Sequence, residues 1–420
     1  MSTAFDVVTP PREPGTSTAA PKARIESVDL LRGLIMAIMM LDHTREFVHR
    51  DAFFFDAANV ARTYPMLFFT RWITHFCAPL FVFLAGTAAS FQEMRGRSKG
   101  TLSRFLFSRG LWLIAIEIFV LRVLIFFNFH YAGLFAFLQV IWAIGWSLIA
   151  LAAVVHLPLR AIIVLSVAVI ALHNTLDGVR VATFNGPGTP VPGFAASVWH
   201  VLHQPGVIFP FGSTGPPVLV MYPLIPWIAV MCAGYACGAL YRKDEMTRRR
   251  VLLLLGSALV LAFVVIRGLN LYGDPVRWSV QGSPAKTVLS FLAATKYPPS
   301  LIFLLMTLGP GLLFLAFAER HTRSRLAQIL ITYGRVPFFF YVLQWLMAHS
   351  LAIMVSLIAG KPTAHLFSNI GFDPLPPAGT GFGLLTVYAL WLLGLILLYP
   401  LCRWFSGVKA RRRDWWLSYV

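Results

Sequence analysis

The sequence predicts an all-α fold, a polytopic transmembrane helix bundle, and three observations predict it. Hydrophobic residues make up 58% of the 420 positions and charged residues only 12%, about half the charge of a soluble chain. Mean hydropathy is +0.72. Apolar runs of about 20 residues, the length that carries a helix across a hydrocarbon core, recur along the whole chain. The solvent is therefore lipid, and one bundle can use nearly the full length.

Residues 1–24 are polar and rich in Pro, Thr and Ala, with no apolar stretch before Val28. They are expected to form a disordered cytoplasmic tail and not a cleaved leader. Residues 25–408 are expected to form one transmembrane domain of ten spans. The spans fall near 28–49, 66–92, 105–127, 132–155, 158–176, 218–241, 250–272, 297–319, 333–360 and 381–405. The ninth is long, and a break near Gly334–Pro337 would make eleven. Segment 173–217, rich in Gly and Pro and carrying His200 and His203, reads either as a lid over an outward site or as a plain surface loop. Residues 409–420 form a basic-aromatic tail, with Lys409, Arg411, Arg412 and Arg413 beside Trp415, Trp416 and Tyr419.

The net charge of +18 is distributed in a way that excludes nucleic acid as a partner. Basic clusters such as Arg95, Arg97 and Lys99, or Arg248, Arg249 and Arg250, fall in alternate loops, whereas 128–131 and 361–380 carry almost no basic residues. By the positive-inside rule both termini are cytoplasmic, and the bilayer is the first partner. Cys77, Cys232, Cys237 and Cys402 lie in or beside apolar runs without ligand spacing, so neither disulfides nor a metal site is expected.

Ionisable groups inside spans are costly and therefore candidates for function. In the first span Asp29, Arg32, Met36, Met39 and His43 share one face. Arg32 and His43 differ by about 20° around the axis and by about 16 Å along it. In the second span Arg71 and His75 are one turn apart. The two spans run in opposite directions, which puts His43 and His75 at one depth, in one wet pocket. Glu117, Arg122, Gln139, Arg267, Lys296, Gln344 and His349 fall at compatible depths. A carboxylate beside an imidazole fixes its tautomer, as a general base requires. Asp42 stands next to His43 but points about 100° away, so Arg45 or Arg71 are alternative partners for it.

Several motifs resemble the bacterial branch of the heparan-α-glucosaminide N-acetyltransferase-like membrane family. They are Ser27-Val28-Asp29-Leu30-Leu31-Arg32-Gly33, Leu41-Asp42-His43-Thr44-Arg45, and the run from Thr74 to Gly86. Further matches are Tyr222-Pro223-Leu224-Ile225-Pro226-Trp227, Lys296-Tyr297-Pro298-Pro299-Ser300-Leu301, Gly334-Arg335-Val336-Pro337-Phe338-Phe339 and the tail Arg411 to Trp416. The spacing of Arg24, Asp29, Arg32 and His43 is also similar to the opening of the transmembrane acyltransferases that decorate surface glycans, where the matching His is implicated in catalysis. In the lysosomal relatives the essential His lies instead in the first loop, where this chain has His49, and the residue matching His43 is Asn.

The resemblance implies a protein of the bacterial inner membrane that moves an acetyl group from cytoplasmic acetyl-CoA to a sugar amine or hydroxyl outside. No metal takes part, and a homodimer is allowed. His43 would be the base, oriented by Asp42 or a neighbouring carboxylate, with His75 and Arg71 on the oxyanion or the acceptor. Arg45, Lys296 and His349 would contact substrate, and Asp29 and Arg32 would line the acyl-CoA mouth. A secondary transporter and a non-catalytic scaffold are the readings from other classes.

Overall fold

A computed structural model describes residues 25–186, 188–369, 372–377, 379–412 and 414–419. The tail 1–24, with Arg24, and Arg413 of the last motif lie outside the described residues. Helix accounts for 68% of the structure and strand for 3%, so the all-α expectation holds.

In chain order the helices are α1 (Glu26–Val48), α2 (Pro65–Trp72), α3 (Cys77–Met94), α4 (Lys99–Ile116), α5 (Arg122–Phe126), α6 (Val140–Val154), α7 (Leu159–Leu172) and α8 (Phe194–Leu202). After them come α9 (Leu224–Gly238), α10 (Glu245–Leu269), α11 (Pro284–Leu292), α12 (Leu301–Ala318), α13 (Arg325–Arg335), α14 (Pro337–Ile358) and α15 (Leu384–Arg411). Strands β1 (Ala136–Leu138), β2 (Gly206–Ile208) and β3 (Val218–Val220) form one small sheet, with β3 parallel to β1 and antiparallel to β2. Helix starts are chemically marked. The side chains of Ser98, Asp244, Ser283, Ser300 and Ser324 each accept a backbone N–H of the first turn, and Pro65, Pro284 and Pro337 sit where the missing N–H is harmless.

Among the described residues, seven helical stretches are long and apolar enough to cross a membrane, not the ten or eleven expected. The difference lies in three places. Helix α1 is interrupted by Asp29, Arg32, Asp42 and Arg45, and the α4–α5 stretch is interrupted by Arg104, Arg109, Glu117 and Arg122. The expected span 132–155 starts instead with β1, which leaves α6 only 15 residues. The break at Gly334–Pro337 is present, but it yields an 11-residue amphipathic α13 ahead of α14 and no additional span.

Helix α1 is the axis of the bundle. It packs against α3, α12, α13, α14 and α15, and 18 of its 23 residues are buried. Gly33 and Gly334 bring α1 and α13 into backbone contact: a Cβ on Gly334 would overlap the Asp29 carbonyl, and one on Gly33 would overlap that of Leu330. Small residues at such crossings replace a hydrophobic driving force that lipid does not supply.

Two buried arginines tie loops at the end of the bundle away from the basic clusters. Arg122 donates to the carbonyls of Asn128, His130 and Leu134 and to Asn369 Oδ1. Arg267 donates to those of Val276, Ser290, Phe291 and Ala293. Both satisfy loop carbonyls that would otherwise be left without donors. Segment 173–217 is likewise ordered where described. His200 is fully buried, with Nδ1 3.0 Å from the Gln204 carbonyl and Nε2 3.0 Å from that of Ala182.

Candidate functional site

The polar stripe of α1 ends in two different environments. At its start Asp29 and Arg32 pair at 3.1 Å, and Arg32 also donates to the Gly334 carbonyl at 3.3 Å. Both line a cavity of about 400 Å³ with Arg95, Arg109, Arg335 and Lys409. Its apolar wall comes from Phe81, Phe105, Leu113, Ile141, Ile144 and Phe338. A cationic rim around an apolar interior suits a ligand with anionic groups at one end and an uncharged arm at the other. The Gly334-Arg335-Val336-Pro337 motif builds this rim. Gly334 allows α13 to approach Asp29, Arg335 reaches Glu26 at 3.2 Å, and Pro337 starts α14.

At the far end of α1, Asp42 is the hub. Arg71 Nη1 lies 2.5 Å from one of its oxygens, and Arg45 Nη2 lies 3.0 Å from the other. The side chains of the three residues are 5% to 9% exposed. His43, His75 and Lys296 lie within electrostatic reach of the same carboxylate. Of the partners left open for Asp42, the structure brings Arg45 and Arg71 to it and not His43: both of its oxygens are taken by arginine. Glu46, one turn on, orients the ring, with Oε2 3.1 Å from His43 Nδ1. The other Glu46 oxygen lies 3.7 Å from Arg45 and 3.9 Å from Arg71. The His43 ring packs on Trp345, with centroids 3.6 Å apart. Glu46 is 38% exposed, so the dyad opens away from the core.

His43 and His75 share the Asp42 neighbourhood but do not meet. No hydrogen bond or ring contact joins them among the described residues. The cause is local. Residues Ile73–Phe76 form a 3₁₀ turn inside the second span, which advances each residue about 120° instead of 100° and rotates His75 away from the Arg71 face. Its ring lies on Phe303, with centroids 5.3 Å apart, and Nδ1 is buried without a partner. Asp56, in the loop after α1, lies 3.8 Å from Arg71. Burial works against its charge, but Arg71 and the Ala58 N–H outweigh that and hold its carboxyl below the usual carboxylate range.

The remaining candidates separate. Lys296 sits beside the hub in the loop before α12, its ammonium 5.2 Å from the Tyr297 ring. His349 is placed elsewhere: its ring lies between Phe47 and Phe127, at 4.3 and 3.8 Å, and both nitrogens face backbone carbonyls, of Leu124 and Leu366. No surface is left for a substrate, so the structure assigns it to packing. Glu117 stands on one π-helical turn and accepts the N–H groups of Gln139 and Trp142, capping α6. Gln344 is fully buried with neither amide atom bonded. His49 closes the first loop: its Nε2 lies 3.5 Å from the Tyr64 hydroxyl, and its backbone pairs with Phe382. Among the described residues no group of three or more His, Cys, Asp or Glu is placed to hold a metal ion. Glu46, Trp345, Arg109 and Arg335 were missed in the sequence. Of these Glu46 was accessible, since an acid three residues after His43 is a helical neighbour.

A helical membrane protein with a cationic cavity at one end of its central helix and a carboxylate-oriented imidazole at the other has the layout of a transmembrane transferase. The family model for the heparan-α-glucosaminide N-acetyltransferase catalytic domain matches residues 24–272, more than half of the chain, and the protein belongs to this family of membrane acetyltransferases. No curated protein matches the chain. The matched span contains the whole α1 stripe, Glu46, Asp56, Arg71 and His75. Lys296, Arg335 and Trp345 lie beyond it.

Proposed function

We propose that the protein transfers an acetyl group from acetyl-CoA, bound at the basic end of the bundle, to a sugar amine or hydroxyl at the opposite face. One observation carries this reading: a single buried helix, α1, presents the cationic cavity at Arg32 and the His43–Glu46 pair about 16 Å further along the same face. In this reading the CoA phosphates lie among the cavity arginines. The pantetheine arm enters along the apolar wall, toward the face that carries the buried Met36 and Met39.

His43, donating Nδ1–H to Glu46, keeps Nε2 as a base. It removes the acceptor proton as the nitrogen or oxygen attacks the thioester carbonyl. The tetrahedral oxyanion is stabilised by Arg71 or His75, the C–S bond breaks, and the CoA thiolate takes up a proton. Asp42 holds Arg71 in place and takes no proton itself.

The same reading supplies the remaining topology. Helices α1, α4–α5 and α6 cross the bilayer together with the seven apolar stretches, since Asp29, Asp42, Arg45, Glu117 and Arg122 inside them are buried among their neighbours. Ten crossings put both termini in the cytoplasm of a bacterial inner membrane and the His43 end outside, with residues 25–408 as the transferase unit. The test is turnover by purified protein with acetyl-CoA and glucosamine. His43→Ala should lower kcat by about 10²–10⁴-fold and Glu46→Gln by about 10-fold or more, with CoA affinity retained. A His43→Ala protein at wild-type rate, with His49→Ala inactive, would move the base to the first loop.

A further inference from the structure

The cavity has a wall that no part of this mechanism uses. After α15 the chain folds back through a short 3₁₀ turn, Trp415–Ser418, and seats it on α4. Leu417 and Ser418 line the cavity, and Leu417 is 5% exposed. The Tyr419 hydroxyl lies 2.7 Å from Ser108 Oγ, its ring packs on Phe105 with centroids 5.8 Å apart, and Arg109 donates to the Ser418 carbonyl. Arg109 is thus a cavity cation held by a neutral carbonyl. A guanidinium prefers a phosphate, which offers charge and two oxygens, to a single carbonyl. The turn is only four residues long, and its hold on the cavity wall is Leu417, the Tyr419 contacts and the Ser418 carbonyl, a unit small enough to open locally while the bundle stays folded.

We propose that the C-terminal turn is a latch on the donor cavity: Ser418 occupies Arg109 until a phosphate takes its place, and the turn then leaves α4. The proposal rests on the donor reading above, and it adds that donor binding and tail release are one event. The latch weakens phosphate-bearing ligands in proportion to its own hold. A ligand without phosphate does not sense it.

Hydrogen exchange of residues 415–419 in full-length protein is the direct test, with CoA and inorganic pyrophosphate as separate probes. Both should speed exchange of the Leu417 and Tyr419 amides, which the turn protects at 3.1 and 2.9 Å. Tyr419→Phe removes one neutral hydrogen bond from the latch and should tighten CoA binding by about threefold to tenfold, with pantetheine affinity unchanged. Unchanged exchange with both probes overturns the latch, and so does unchanged or weaker CoA binding by Tyr419→Phe. Release by pyrophosphate without release or binding by CoA upholds the latch and removes the donor reading. CoA binding without release does the reverse.

Discussion

At the scale of single residues the site is organised by one buried acid, Asp42, whose two oxygens are each claimed by a guanidinium. Removing one member of such a group leaves an uncompensated charge in a dry place, which costs more than the pair itself is worth. Asp42→Asn or Arg71→Met alone should therefore destabilise the protein by about 3 kcal/mol, and the double variant by less than the sum. Thermal unfolding in detergent decides it, and strict additivity would show that the pair is not coupled. The residues of this cluster were legible in sequence because charge inside a span is rare. Their pairing was not. Asp42 and His43 are adjacent in the chain but point in different directions on a helix. The carboxylate that reaches the ring is the one at helical spacing, Glu46. A single 3₁₀ turn, invisible in an apolar run, was enough to separate His75 from His43.

At the scale of elements, the Gly33–Gly334 crossing sets the cavity. It holds α13 against α1, and with it Arg335, Asp29 and Arg32. Gly334→Ala should lower stability by about 1–3 kcal/mol, the usual cost of overpacking. It should also raise KM for the donor while leaving kcat nearly unchanged. A drop in kcat with KM intact would show that the crossing acts on the chemistry instead. At the opposite end the turn Ala364–Phe367 seals the bundle, with the His365 ring 5.0 Å from Phe53. Burial pushes His365 below the ordinary histidine range. The folded state therefore favours the neutral ring, and its contribution is present above about pH 6.5 and lost as pH falls. Melting temperature should drop between about pH 7.5 and about pH 5.5, and His365→Phe should shrink that drop. The break at Gly334–Pro337 was readable from Gly and Pro alone. The strand Ala136–Leu138 was not, because three apolar residues ahead of a helix read as helix.

For the whole molecule the question is how many helices cross. Apolar length and charge single out seven stretches, and the ten-crossing topology adds α1, α4–α5 and α6, whose Asp29, Asp42, Arg45, Glu117 and Arg122 are buried. It predicts that cysteines placed at Ser98 and Thr322 react with an impermeant maleimide only after the inner face is opened, and that one at Thr189 reacts in intact cells. Labelling of Ser98 and Thr189 positions from the same side would rule out ten crossings. Composition fixed the class of fold easily, since hydropathy is summed over hundreds of residues. The span count depends on a few charges, whose acceptability is decided by neighbours that lie far away in sequence.

The enclosure of α1 has a consequence for biogenesis. Helix α1 precedes every other described helix in the chain, and its Asp29, Arg32, Asp42 and Arg45 make it a poor candidate for release into lipid on its own. Three of the helices that shelter it, α13, α14 and α15, follow all the other described helices in the chain. Insertion and assembly are therefore out of step. The opening segment has to be retained by the insertion machinery, or parked at the headgroup layer, until α13, α14 and α15 emerge. Nascent chains stalled before residue 325 should leave α1 extractable by alkali, whereas completed chains should not.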